Sequence, residues 1–174
     1  PIVPKTHEGR TAFVSTAAFQ PGDGQTDADA LCALEADAAG LSGSFLAFLP
    51  DRAQQLSVQQ RFDTSPNAPI WVRPDGIRIA ATAAGLFTEE LLAPINLHAD
   101  GTPAGQFRSF GVWTGTSDPA VFDADDDDCS EWTSDSAEQR GSSGVVHFVS
   151  NHFYRNINPS RACSTADYHL YCLE

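Results

Sequence analysis

Hydrophobic positions along this chain come in short bursts separated by turn residues, rather than in long periodic runs. "TAFVST" (11–16) has the apolar and β-branched content of a strand, and "FLAFL" (45–49) reads as a buried strand stopped by Pro50. "PIWVRPDGIRIA" (69–80) predicts strand, Pro-Asp-Gly turn, strand. "VWTGT" (112–116), "GVVHFVS" (144–150) and "YHLYCLE" (168–174) predict three more short strands. The clearest helix is "TDADALCALEADAAG" (26–40), after the turn "PGDG" (21–24). Thr26 caps it in this reading, Asp27 and Asp29 suit its positive end, and Gly40 ends it in the left-handed conformation. A short helix is expected over 51–62 and a helical piece at "GLFTEELL". There is no internal repeat and no flexible linker, so residues 1–10 read as an N-terminal arm and 11–174 as one α+β domain rich in loops.

Charge narrows the partners. The net charge is −13, and of ten basic residues only Lys5 is a lysine, which argues against nucleic acid, heparin-like polyanions and acidic membrane surfaces. No run of about 18 apolar residues is available for membrane insertion. The first residues, "PIVPKTHEGR", have neither an apolar core nor an initiator Met, so the chain reads as a mature secreted product whose signal peptide has been removed. Abundant Ala, with Arg in place of Lys, suits a high-GC bacterium.

Four cysteines, Cys32, Cys129, Cys163 and Cys172, show no C-x-x-C spacing, which speaks against a zinc ribbon or a redox pair. Two disulfides fit better and imply an extracellular, oxidising location. Three connectivities are open at this point.

The order of the motifs is more specific than any one of them. "DADALC" opening a helix is followed by "AAGLSGSFLAFL", "APIWV", "LLAPINLHADG", "VWTGTSDP", "CSEWTS" and a closing "ACSTADYHLYCLE". That series resembles the endostatin-like domain at the end of collagens XV and XVIII and its bacterial relatives, from about Thr11 to Glu174. The resemblance implies a C-type-lectin-like fold. Its features would be two small antiparallel sheets, two helices, a long irregular middle loop, terminal strands paired side by side, and nested disulfides Cys32–Cys172 and Cys129–Cys163.

The family's functional sites transfer poorly. Mammalian endostatins hold zinc through arm histidines, whereas this arm offers only His7, so no zinc site is carried over. Their heparan sulfate face needs a continuous positive surface that a chain at −13 lacks. The Glu-Pro-Asn, Gln-Pro-Asp and Trp-Asn-Asp motifs of calcium-dependent sugar binding are missing, and "LHADGTPAG" (97–105) reads as a turn.

Two candidate sites remain. "VFDADDDDCSEW" (121–132) gathers six carboxylates, and Asp123, Asp125, Asp127 and Asp128 are the candidate calcium ligands, although EF-hand spacing fails at Asp128 and Ser134. A solvated acidic loop is the competing reading. "SNHFYRNINPSR" (150–161) clusters His152, Phe153, Tyr154 and Arg155 as a candidate partner-binding patch. Trp71, Trp113 and Trp132 read as core. None of the G-x-S-x-G, H-E-x-x-H, Walker or G-x-G-x-x-G motifs occurs, and the scattered His98, His147, His152 and His169 form no catalytic pattern.

The expectation is therefore a non-catalytic module for binding, adhesion or structural assembly. Its partner would be an extracellular protein, a glycan or copies of itself. No cofactor is expected beyond calcium in the acidic run. The alternatives are a calcium-dependent glycan-binding lectin and an extracellular hydrolase.

Overall fold

The computed structural model describes residues 6–88, 90–105, 110–125, 127–155, 158 and 160–174. Strand β1 (Arg10–Val14) is followed by helix α1 (Gln25–Ala38), then β2 (Leu46–Ala47), β3 (Trp71–Val72), one-turn α2 (Gly85–Thr88), β4 (Gly111–Trp113), β5 (Arg140–Val145), β6 (Ser160–Ala162) and β7 (His169–Leu173). The strands join in one network of order β3-β1-β7-β4-β5-β6, with β2 also paired to β7.

The last strand is the hub. β7 pairs antiparallel with β1, placing Phe13 opposite Cys172, and antiparallel with β2, placing Ala47 opposite the same Cys172. Its first half pairs with β4 in parallel, Val112 with His169. The terminal strands thus lie side by side, as the motif order implies. The two separate antiparallel sheets do not occur, because β7 is hydrogen-bonded along both edges and welds the pairings together, two of them (β1–β3 and β4–β7) parallel.

Alternation along these strands feeds two cores, one on each face of the network. Ala12, Val14, Tyr171 and Leu173 join one cluster with Phe48, Trp71, Phe87 and Phe153. Phe13, Leu170 and Cys172 join the other with Phe45, Trp113 and Trp132. Trp71, Trp113 and Trp132 are all core residues, each at most 1 % exposed.

Helix α1 buries Ala28, Cys32 and Ala36 in the second cluster, spaced four apart on one stripe, with half-buried Leu31 packed against it. Small side chains bring the helix close enough for the Cys32–Cys172 disulfide, which spans 140 positions, while Cys129–Cys163 spans 34. In the chain-entropy picture the two bridges contribute about 5 and about 4 kcal/mol.

The helix begins differently from the expectation. Gly24, at φ +89°, occupies the cap with no side-chain bond, and Thr26 lies inside the first turn. Asp29 leaves the helix end to accept the amide of Ala47 (2.8 Å) and Arg61 Nη2 (2.7 Å). Gly40 does close the helix at φ +72°, with Leu41 N–H returning to the Ala36 carbonyl at 2.9 Å.

Three further expectations shift. Residues 51–62 form a bridge between Asp51 and Leu56 and a 3₁₀ turn (Gln59–Arg61), not a helix. Asp51 draws the Gln54 amide back onto itself, and Ser57 and Gln60 cap one another, which ends each turn locally. The strand expected at 144–150 lies earlier, at Arg140–Val145, through the glycines of "RGSSGV". They are needed because a Cβ at Gly144 would meet the Phe153 carbonyl oxygen at 1.8 Å, and one at Gly141 would meet Cys129 Sγ and the Trp113 ring at 2.8 Å. Finally, β6 emerges from a segment expected to be loop.

Tyr171 is fully buried, and its hydroxyl has no hydrogen-bond partner among the described residues. Burial pushes its ionisation well above the ordinary tyrosine range. Tyr171→Phe keeps the ring contacts with Phe48 and Phe153 and removes an unpaired hydroxyl, so it should raise stability by about 1 kcal/mol in urea unfolding. A loss of stability instead would show that the hydroxyl is satisfied in solution.

Candidate functional site

The acidic run is organised by one arginine. Arg52 Nε bonds Asp128 Oδ2 at 2.6 Å, and another of its nitrogens reaches the Ala124 carbonyl. Asp128 Oδ1 accepts the Glu131 amide (3.1 Å), so both carboxylate oxygens are engaged on a side chain only 7 % exposed. Asp123 Oδ1 accepts the Asp125 amide at 2.9 Å in a local turn, and the Asp127 carbonyl takes Ser142 N–H at 2.6 Å. Among the described residues no three His, Cys, Asp or Glu side chains are arranged to hold a metal ion.

Beyond Asp128 the backbone takes an unusual form. Cys129, Ser130, Glu131 and Trp132 all have φ between +55° and +64°, one turn of left-handed helix. Each such residue costs roughly 1–2 kcal/mol. The turn is held by Trp132 N–H to the Asp128 carbonyl (2.8 Å), by the disulfide to Cys163, and by Gly22 and Gly24 N–H groups donating to the Trp132 carbonyl (2.7 and 3.0 Å). The Trp132 ring is wedged edge-on against Phe19 and Trp113. "CSEW" thus anchors the start of α1 to the inner disulfide.

Two histidines latch the end of β1. His98 Nδ1 and His169 Nδ1 each lie 2.9 Å from consecutive carbonyls, those of Val14 and Ser15. Phe110 stacks on His169 at 4.0 Å between centroids and meets His98 edge-on. Glu35 accepts the next two amides, Thr16 (2.6 Å) and Ala17 (2.8 Å). The His169 pKa falls below its usual 6.5 because burial disfavours the imidazolium; the Ser15 carbonyl opposes the shift and His98 adds to it.

The segment 150–161 divides in the structure. Phe153 belongs to the core and not to a partner surface. It is fully buried, with ring centroids 4.9 Å from Tyr154, 5.9 Å from Phe48 and 6.1 Å from Tyr171. The 3₁₀ turn (Asn151–Phe153) points it inward, and the missing side chain at Gly144 lets its carbonyl approach β5. His152 Nδ1 lies 3.0 Å from the Arg155 carbonyl and its ring meets Phe148, so it braces the turn. Tyr154 is half-buried and Arg155 exposed. Asn156, Ile157 and Pro159 lie outside the described residues.

Tyr154 lines a groove of about 340 Å³ with Thr88, Glu90 and Asn151. The Glu90 carboxylate, the Asn151 side-chain amide and the Tyr154 hydroxyl make no hydrogen bond to another described residue. Burial raises the Tyr154 pKa, the charge of Asp118 adds to that, and Arg155 opposes it. The segments on either side are tied by Leu91 N–H to the Val149 carbonyl at 2.7 Å, and exposed Leu92 (62 %) and Val149 (38 %) come two residues along the chain from Glu90 and Asn151. Nothing in the sequence linked Glu90 to Asn151, since the two stretches are brought together by tertiary bonds such as that from Leu91 N–H to the Val149 carbonyl. The comparable cavity by Thr16 holds Glu35, whose two oxygens accept the Thr16 and Ala17 amides, and Asp100, whose Oδ1 accepts from the Thr102 amide and hydroxyl.

No protein-family model matches the chain, and no curated protein matches it in sequence. Among the described residues no helix is long and apolar enough to cross a membrane. The groove beside Tyr154 is a concave surface lined by unengaged polar groups.

Two measurements follow from these geometries. Calcium added to the protein should leave its melting temperature unchanged relative to chelator, given the engaged Asp128 carboxylate; a rise of more than about 2 °C would place a cation in the acidic loop. The folded pKa of His169 lies below its unfolded value, so its stabilising effect is complete above about pH 6.5 and is lost as pH falls. Urea midpoints of the wild type should therefore drop between about pH 7 and pH 5 more steeply than those of His169→Phe.

Proposed function

We propose that the chain is an extracellular, non-catalytic module of endostatin-like, C-type-lectin-like type that binds a partner in an adhesion or structural-assembly role. The groove of Thr88, Glu90, Asn151 and Tyr154, with exposed Leu92 and Val149 close along the chain to Glu90 and Asn151, carries this reading. It combines an aromatic anchor, unengaged hydrogen-bonding groups and exposed apolar surface, the makings of a contact patch.

The family part of the proposal is supported by the nested bridges Cys32–Cys172 and Cys129–Cys163, by the paired terminal strands, and by the three buried tryptophans in their motifs. The extracellular part is supported by the disulfides, which persist in oxidising compartments. The non-catalytic part is supported by how potential nucleophiles and bases are used. All four cysteines are oxidised, and His98, His152 and His169 each contact a backbone carbonyl.

Labelled protein should bind saturably to the cell surface or extracellular fraction of its source. Tyr154→Ala and, separately, Leu92→Ser should weaken that binding by roughly tenfold if this patch holds the contact. Leu92 is exposed, so its variant leaves the fold intact. Unchanged binding by both variants would remove the groove from the function.

A further inference from the structure

We infer that the groove beside Tyr154 receives a cationic side chain, an arginine or lysine presented by a partner protein, with its charge near the Glu90 carboxylate and Tyr154 ring and its aliphatic stem along Leu92 and Val149. This rests on the preceding reading that the groove is a contact surface, and it adds the chemistry of what enters.

Three features select this occupant. Glu90 supplies a carboxylate with no partner among the described residues, and Asp118 is near enough to act on the Tyr154 phenol. A tyrosine face attracts a cation through its ring quadrupole, and more so where water is partly excluded. Leu92 and Val149 are two of the four large apolar side chains exposed among the described residues. They give the methylene stem of an arginine or lysine a surface to cover while its head stays polar.

Long-range electrostatics favours the same partner. The chain carries −13, so a basic protein is drawn to it, whereas acidic segments and a second copy of this chain are repelled. A neutral glycan would gain nothing from Glu90 as a charge.

The test uses two blocked dipeptides of nearly identical shape, acetyl-Leu-Arg-amide and acetyl-Leu-citrulline-amide, titrated into the ¹⁵N-labelled protein at an ionic strength of about 0.15 M. The arginine probe should shift the amides of Leu92, Val149, Asn151 and Tyr154 saturably, and the uncharged citrulline probe should bind roughly fivefold more weakly. Glu90→Gln, a surface change that leaves the fold intact, should weaken the arginine probe by a similar factor and leave the citrulline probe unaffected.

Equal binding of both probes at these amides would overturn the cationic occupant and leave the contact surface standing. Stronger shifts of the same amides by maltose would also overturn it, in favour of a glycan. Arginine-induced shifts spread over the acidic loop around Asp123 and Asp125 would reduce the effect to unspecific attraction and overturn it. No shift at the groove from any of the three probes would remove both the occupant and the contact surface.

Discussion

Everything in this fold is arranged around the burial of one five-residue strand. Leu170, Tyr171, Cys172 and Leu173 of β7 are each inaccessible to solvent, and their backbone is paired along both edges. Such a strand must supply apolar side chains to both faces, which is why the protein has two cores rather than one. Cys172 lies where β1, β2 and α1 meet. Its bond to Cys32 fixes the helix on one face, while its neighbours Tyr171 and Leu173 organise the aromatic cluster on the other. Mispairing β7 by one residue would exchange the two faces and point Cys172 away from the helix.

The parts legible in the sequence are those where one residue type answers one local demand. Gly40 at a helix end, the Pro-Asp-Gly turn, the three tryptophans and the paired cysteines all have such a demand. The pairing of the cysteines came from motif order and not from spacing. What escaped depended on partners distant in the chain. "RGSSGV" lacks every compositional mark of a strand, and it is one because Gly141 and Gly144 admit Cys129, Trp113 and the Phe153 backbone. Phe153 looks like its surface neighbours Tyr154 and Arg155, and only the inward turn at Asn151 separates them. The groove was half legible, since Tyr154 was singled out whereas Thr88 and Glu90 come from a different stretch.

The acidic run shows how a conspicuous composition can be secondary to its neighbours. Asp128 serves Arg52 and the first amides of a left-handed turn, and the turn exists to bring Cys129 to Cys163 and Trp132 against Phe19 and Trp113. The unfavourable backbone there is outweighed by a covalent bond and by burial of an indole. Substitutions among the exposed Asp123 and Asp125 therefore touch little, while Asp128, set between them and the turn, is structural.

The outer disulfide also determines how the molecule would carry a pulling force applied at its two ends. The ends of β1 and β7 lie together, so tension would peel these strands apart one hydrogen bond at a time, which is the mechanically soft direction. On the β7 side peeling stops at Cys172, because the load there passes through sulfur to Cys32 and bypasses everything between them. The groove, the inner disulfide and most of both cores lie within that covalent loop. A pull on the two ends would lengthen the chain by the residues ahead of Cys32, β1 included, before the load meets the covalent loop.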